Sequence, residues 1–237
     1  MQDIKLQVGT AHVQWESQLT YVGTVVSVGG GSGPAMELRT TQAQKAFFKW
    51  QPTLSNLTLP RSLRCRLAAQ VIFSSLLWLC ETWVPTAGQK EKMDSWGARL
   101  IARVARVGCN ENEDIGQYWR RLHRSGHALL QLYGGSPNWR RCKTLHRFAG
   151  HLARSIDATL SSALHTRCIA WWRYRQQRHL VQHPRRFKTW RWESQLADYY
   201  GEAQTVNAYA NVGWMLQAQQ RNLWKDMEDV FAILNSM

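Results

Sequence analysis

Beyond a glycine-rich run at residues 29–33, the sequence carries apolar side chains at intervals of three and four, which commits most of the chain to helix. Met93, Trp96, Leu100, Val104 and Val107 are the clearest set, all on one face of a 3.6-residue helix. Ahead of them Thr86-Ala87-Gly88-Gln89 fits a capping box, in which Thr86 and Gln89 satisfy each other's backbone amides. Gly108 stands where a C-terminal cap belongs. Proline sets other starts. Pro34 suits the first turn of a helix running to about Trp50, with Leu38, Ala46 and Phe47 inward. Pro60 opens a second, to about Cys80, with Leu63, Leu67, Val71, Ser74 and Trp78 on one stripe. Asn112 is expected to cap a shorter helix over about 113–124 that turns Ile115, Trp119 and Leu122 inward. Gly134-Gly135-Ser136-Pro137 reads as a turn opening a helix toward Arg154. Further helices are expected at about 158–180, 189–200 and 213–234.

The first 28 residues differ. Ile4, Leu6 and Val8 alternate with polar residues, as do Val13 and Trp15, and Leu19 and Tyr21 lead into the β-branched Val25, Val26 and Val28. The expected fold is therefore mainly α with short N-terminal strands. It divides into strands and a glycine turn at 1–33, a helical bundle at 34–110 and a basic, Trp-rich helical region at 111–237.

Charge is unevenly placed. Between Trp119 and Trp192 stand sixteen Lys and Arg but one acid, Asp157, so the net formal charge of +14 comes entirely from this block. Such density without compensation calls for a polyanion, and guanidinium forks suit phosphate. The candidate nucleic-acid contacts are Arg120, Arg121, Arg140, Arg141, Lys143, Arg147, Arg173, Arg175, Arg185, Arg186, Lys188 and Arg191. Trp172, Trp190 and Trp192 interleave with them and could stack on bases, although a Trp at helical spacing is more often core.

Five cysteines, an odd number with no close pairs, and no recognisable secretory signal point to free thiols in a reducing, cytoplasmic or nuclear compartment. The longest apolar run, Val71 to Leu79, is too short to span a bilayer, so no membrane partner is expected. His123 and His127, His179 and His183, and His146 and His151 near Cys142 invite a metal, but there is no CxxC and no second ligand pair, so no metal site is expected. No phosphate loop follows the glycines and no hydrolase-like order of Ser, His and Asp is present, so neither a small-molecule substrate nor a catalytic residue is expected.

Several stretches fall in a telling order: Tyr21-Val22-Gly23 after a strand; Ala43-Gln44-Lys45-Ala46-Phe47; Arg61, Arg64 and Arg66 ahead of Val71 to Leu77; Glu81 and Trp83; and the helix from Met93 to Val107. From about Leu19 to Gly108 this set resembles the region after the catalytic strand of LINE-type (non-LTR) retrotransposon reverse transcriptases. Leu79-Cys80 replaces that family's usual Tyr-Gly before Glu81 and Trp83. Trp139 with Leu145 to Arg154 looks like a stretch some of these polymerases carry after the thumb. The resemblance implies a thumb and post-thumb fragment that grips an RNA template or RNA–DNA duplex, with fingers and palm supplied by the rest of a larger polyprotein. It gives Tyr21, Gly23, Glu81 and Trp83 architectural roles, and Glu81 is expected to pair with Arg99 or Arg103. The family polymerises with carboxylate-held Mg. This sequence has no Asp-Asp pair, which implies no polymerisation by the chain alone and no cofactor of its own. The alternative is a non-catalytic helical protein-interaction module or a retroelement relic.

Overall fold

The computed structural model describes residues 6–8, 11–13, 16–27, 31–155, 194–200 and 213–236. It is mainly helical, with short antiparallel strand pairs at the N-terminus, as the periodicity predicts. Strand β1 (Leu6–Val8) pairs with β2 (Ala11–Val13), and β3 (Gln18–Tyr21) with β4 (Thr24–Ser27). Val22 and Gly23, with φ of 48° and 75°, form the two-residue turn of the second hairpin. Two positive φ values give the type I′ geometry that matches strand twist. Trp78 Nε1 donates to the Val22 carbonyl at 3.1 Å, and the Arg39 guanidinium donates to that of Gly23, so the hairpin tip is pinned to the helices that follow.

The first core is enclosed by α1 (Gly33–Leu54), α2 (Arg61–Leu76), α3 (Ala87–Val104) and α4 (Ile115–Tyr133), with Phe47, Ile72, Phe73, Ile101 and Leu130 at its centre. Helix α1 outruns the expected end at Trp50. Pro52 falls in its last turn, where it withholds the amide that would meet the Phe48 carbonyl, and Leu54 is anchored at 3 % exposure. The stripe expected on α2 is corrected. Leu63 and Trp78 are 41 % and 51 % exposed, and the buried face is Cys65, Ala68, Ala69, Ile72, Phe73 and Leu76. Cys65, Ala68 and Ala69 are small enough for close helix packing, and Ile72, Phe73 and Leu76 fill the core on the same face. Arg64 is buried too. Its Nη1 donates to the carbonyls of Val104 at 3.0 Å and Leu54 at 3.4 Å, closing the C-terminal ends of α3 and α1. Helix α2 stops at Leu76 rather than Cys80, and a 3-10 turn (Cys80–Thr82) follows Leu79, whose φ is 59°.

The Thr86–Gln89 capping box forms as expected at the start of α3. At the far end the cap is not Gly108. Arg106 takes the left-handed position with φ 55°, its amide donating to the Arg103 carbonyl and that of Val107 to the Ala102 carbonyl, a Schellman closure built on a non-glycine residue. The cap of α4 is Asp114, boxed with Gln117, not Asn112, and the helix continues through Gly126 to Tyr133. Its inner face is Leu122, Gly126, Leu129 and Leu130, whereas Ile115 and Trp119, expected inside, are 77 % and 53 % exposed. Contact with α3 sets that face.

Helix α5 (Pro137–Arg154) starts where Ser136 and Pro137 predict, the Ser136 hydroxyl accepting from the Trp139 amide. Four short helices pack beside it: α6 (Ser194–Tyr200), α7 (Gly213–Gln219), α8 (Arg221–Asp226) and α9 (Glu228–Ser236). The single helix expected over 213–234 is thus broken at Gln220 and Met227. The helix expected at 158–180, and the first part of that expected at 189–200, lie outside the described residues. Helix α5 provides Cys142, Leu145, Ala149 and Ala153 to a second core completed by Leu196, Trp214, Met215, Trp224 and Phe231. Helix α4, the first element of the expected 111–237 region, therefore shares the first core, and the second begins with α5. The two are fastened by Asp94 of α3, which accepts from the Ser136 hydroxyl at 3.0 Å and the Asn138 amide at 2.7 Å at the start of α5. Burial holds the Asp94 carboxyl above its usual range against those hydrogen bonds, which lower it.

Candidate functional site

Six of the twelve expected nucleic-acid contacts lie in described segments, and five of these are spent inside the protein. Arg141 is fully buried; its guanidinium donates to Asn138 Oδ1 and Gln195 Oε1, both at 3.0 Å, and lies 3.3 Å from the Cys142 sulfur. Arg140 donates to the carbonyls of Gly134 at 2.8 Å and Ala69 at 3.2 Å and sits over the Phe73 ring, tying α5 to α2. Arg147 makes two hydrogen bonds to the Glu228 carboxylate, at 2.7 and 2.9 Å. Lys143 bridges Glu228 at 3.1 Å and Asp229 at 2.7 Å. Burial works to raise the Glu228 carboxyl, but Arg147 and Lys143 hold it below its usual range. Arg121 clasps Glu113 at 2.6 Å and donates to the Gly108 carbonyl at 2.6 Å, bracing the loop between α3 and α4. Its hydrogen bond keeps the Glu113 carboxyl low. Of these six candidates only Arg120 is both exposed and outside the ion pairs of the described residues. The candidates Arg173, Arg175, Arg185, Arg186, Lys188, Arg191, Trp172, Trp190 and Trp192 lie outside the described residues.

The family-motif positions are placed in the hairpin and the 3-10 turn. Tyr21 is 65 % exposed at the hairpin end and Gly23 forms its turn. Trp83 is buried. Glu81 makes no ion pair with Arg99 or Arg103. It sits in the 3-10 turn against α5, whereas Arg103 lies near the other end of the first core, 5.3 Å over the Phe47 ring. His123 and His127 do meet, with their Nε2 atoms 3.2 Å apart, but among the described residues no group of three His, Cys, Asp or Glu is arranged to hold a metal.

What the structure brings together is a groove between α1, α3 and α4 with a volume of about 730 Å³. Phe47 and Phe48 come from α1, Trp96 and Leu100 from α3, and Tyr118, Trp119 and Leu122 from α4. Arg99, Arg103 and Arg106 stand along one side, and no carboxylate lines it. All three guanidinium groups are on exposed residues. Arg106 is steadied by donating to the Ser55 carbonyl at 3.2 Å. Part of the signal was present in the sequence: positions 99 and 103 are spaced by four, beside the apolar set of α3, and Arg106 follows just past the helix end. It was masked by the denser basic block between Trp119 and Trp192.

Among the described residues no helix is long and apolar enough to cross a membrane. In comparison with known proteins, no family model, curated protein or solved structure matches the chain.

Proposed function

We propose that this chain grips nucleic acid and performs no polymerisation itself. The groove carries the proposal: three exposed guanidinium groups aligned beside aromatic rings, with no carboxylate to repel a phosphate, are the lining a polyanion with π-faces requires. The resemblance of residues 19–108 to the thumb of LINE-type reverse transcriptases supports the same function. In that context the chain is the template–primer-gripping part of an RNA-directed DNA polymerase whose fingers, palm and metal-binding carboxylates lie in the rest of a larger polyprotein. The basic residues of the second half add a general attraction for phosphate, with those on α5 largely committed to internal partners.

Fluorescence anisotropy with a labelled RNA–DNA hybrid across a salt series tests the proposal. The wild type should weaken steeply with salt. Replacing Arg99 and Arg103 together by Gln should reduce the slope of log K against log salt by about 2 if each contacts a duplex phosphate. The melting temperature should stay close to wild type, because both residues are exposed. Absence of binding even at low salt would overturn the proposal and favour the protein-interaction module.

A further inference from the structure

Resting on that function, we infer that the groove takes an unpaired single strand, with its bases stacked on Phe48 and Trp119 and its phosphates on Arg99, Arg103 and Arg106. Phe48 on α1 and Trp119 on α4 are 62 % and 53 % exposed, although folding normally covers rings of this size. They belong to the lining of one concavity. In a duplex the bases are stacked on each other and the outer surface is sugar and phosphate, so these rings would have no π-face to meet. An unpaired strand presents its bases to aromatic side chains and its backbone to the basic edge.

The size and spacing agree. A concavity of about 730 Å³ admits base-sized groups, whereas a double helix would meet only the basic edge with its phosphates. Arg99 and Arg103 are four residues apart on α3, about 6 Å along the helix axis. That interval is on the scale of the distance between successive phosphates of a strand, so the two groups can take neighbouring phosphates while the rings take the bases. The absence of carboxylate from the lining completes the charge complementarity.

The test compares a labelled oligouridine with a blunt RNA–DNA duplex of equal length, using the wild type, Trp119→Ala, Trp119→Phe and Phe48→Ala. Circular dichroism melts confirm that each variant is folded. The wild type should bind the single strand more tightly. Trp119→Ala should lose about ten-fold or more in single-strand affinity, the scale of one base stack, and leave duplex affinity unchanged. Trp119→Phe should retain most of the affinity, since a smaller ring still stacks, and Phe48→Ala should repeat the Trp119→Ala pattern. Duplex binding intact with single-strand binding equal in wild type and Trp119→Ala would overturn the inference and leave the nucleic-acid function standing. Binding of neither ligand would overturn both.

Discussion

His146 sits at the centre of the second core, fully buried on α5. Its ring is stacked on Trp224 at 4.0 Å, and its Nε2 lies 2.6 Å from the Tyr200 hydroxyl. Burial pushes the imidazole down to about 4, with Glu228 pulling it up and Arg147 and Arg154 pushing it further down. An unfolded histidine titrates near ~6.5, so the stability from keeping this ring neutral is fully present above that pH. It is lost as pH falls from ~6.5 to about 4, to a total of about 3 kcal/mol. Urea denaturation at pH 7 and pH 4.5 should show this fall. His146→Phe should be less stable at pH 7, having left the Tyr200 hydroxyl without its partner, yet lose less on acidification. An identical fall in the variant would disprove the assignment. Sequence reading singled out His146 as part of a metal question, because spacing reports neighbours along the chain. Its partners Tyr200 and Trp224 are 54 and 78 residues away. Arg141 escaped for the same reason: a guanidinium in a basic block reads as surface until Gln195 is seen to receive it.

Helix starts were legible and helix faces less so. A cap is a contact within four residues, and Thr86 with Gln89 or Ser136 with Pro137 carry their whole chemistry locally. The face a helix buries depends on its neighbour, and α4 shows how. Ile115 and Trp119 have the apolar character of inner residues, but α3 touches the side that holds Gly126. A Cβ at Gly126 would run into the backbone carbonyl of Ala98, which has no room to move. Gly126→Ala should therefore cost about 1–3 kcal/mol by overpacking, outweighing the gain of about 0.5–1 kcal/mol that alanine brings to a helix. Gly88→Ala, with nothing within 4 Å of the new methyl group, should instead gain up to about 0.5 kcal/mol. Thermal melts of the two variants should move in opposite directions.

At the scale of the molecule, two cores meet at one helix, which belongs to the second and packs against the first. Helix α5 is a strut held by Asp94 at its start, by the 3-10 turn and α3 along one side, and by α7 and α9 along another. That position explains why the site was only partly legible. The basic block was visible as a count of charges, but a strut needs donors for carbonyls and carboxylates brought from far along the chain, and α5 uses its arginines that way. The groove arginines lie instead in the bundle, whose smaller excess of bases was overshadowed by the block that follows it.

The same packing sorts the thiols by chemical reactivity. Cys65, Cys80 and Cys142 are sealed in the interior, and burial raises their pKa values, that of Cys80 to about 12. Cys109 is exposed, one residue beyond Gly108 at the rim of the groove. Alkylation proceeds through the thiolate and needs access. In a Cys168→Ser background, intact-mass spectrometry after brief treatment with iodoacetamide at neutral pH should therefore show a single adduct on Cys109, with the other three thiols modified only in denaturant. The fold thus carries its own attachment point for a fluorophore, set beside the surface on which a strand would lie.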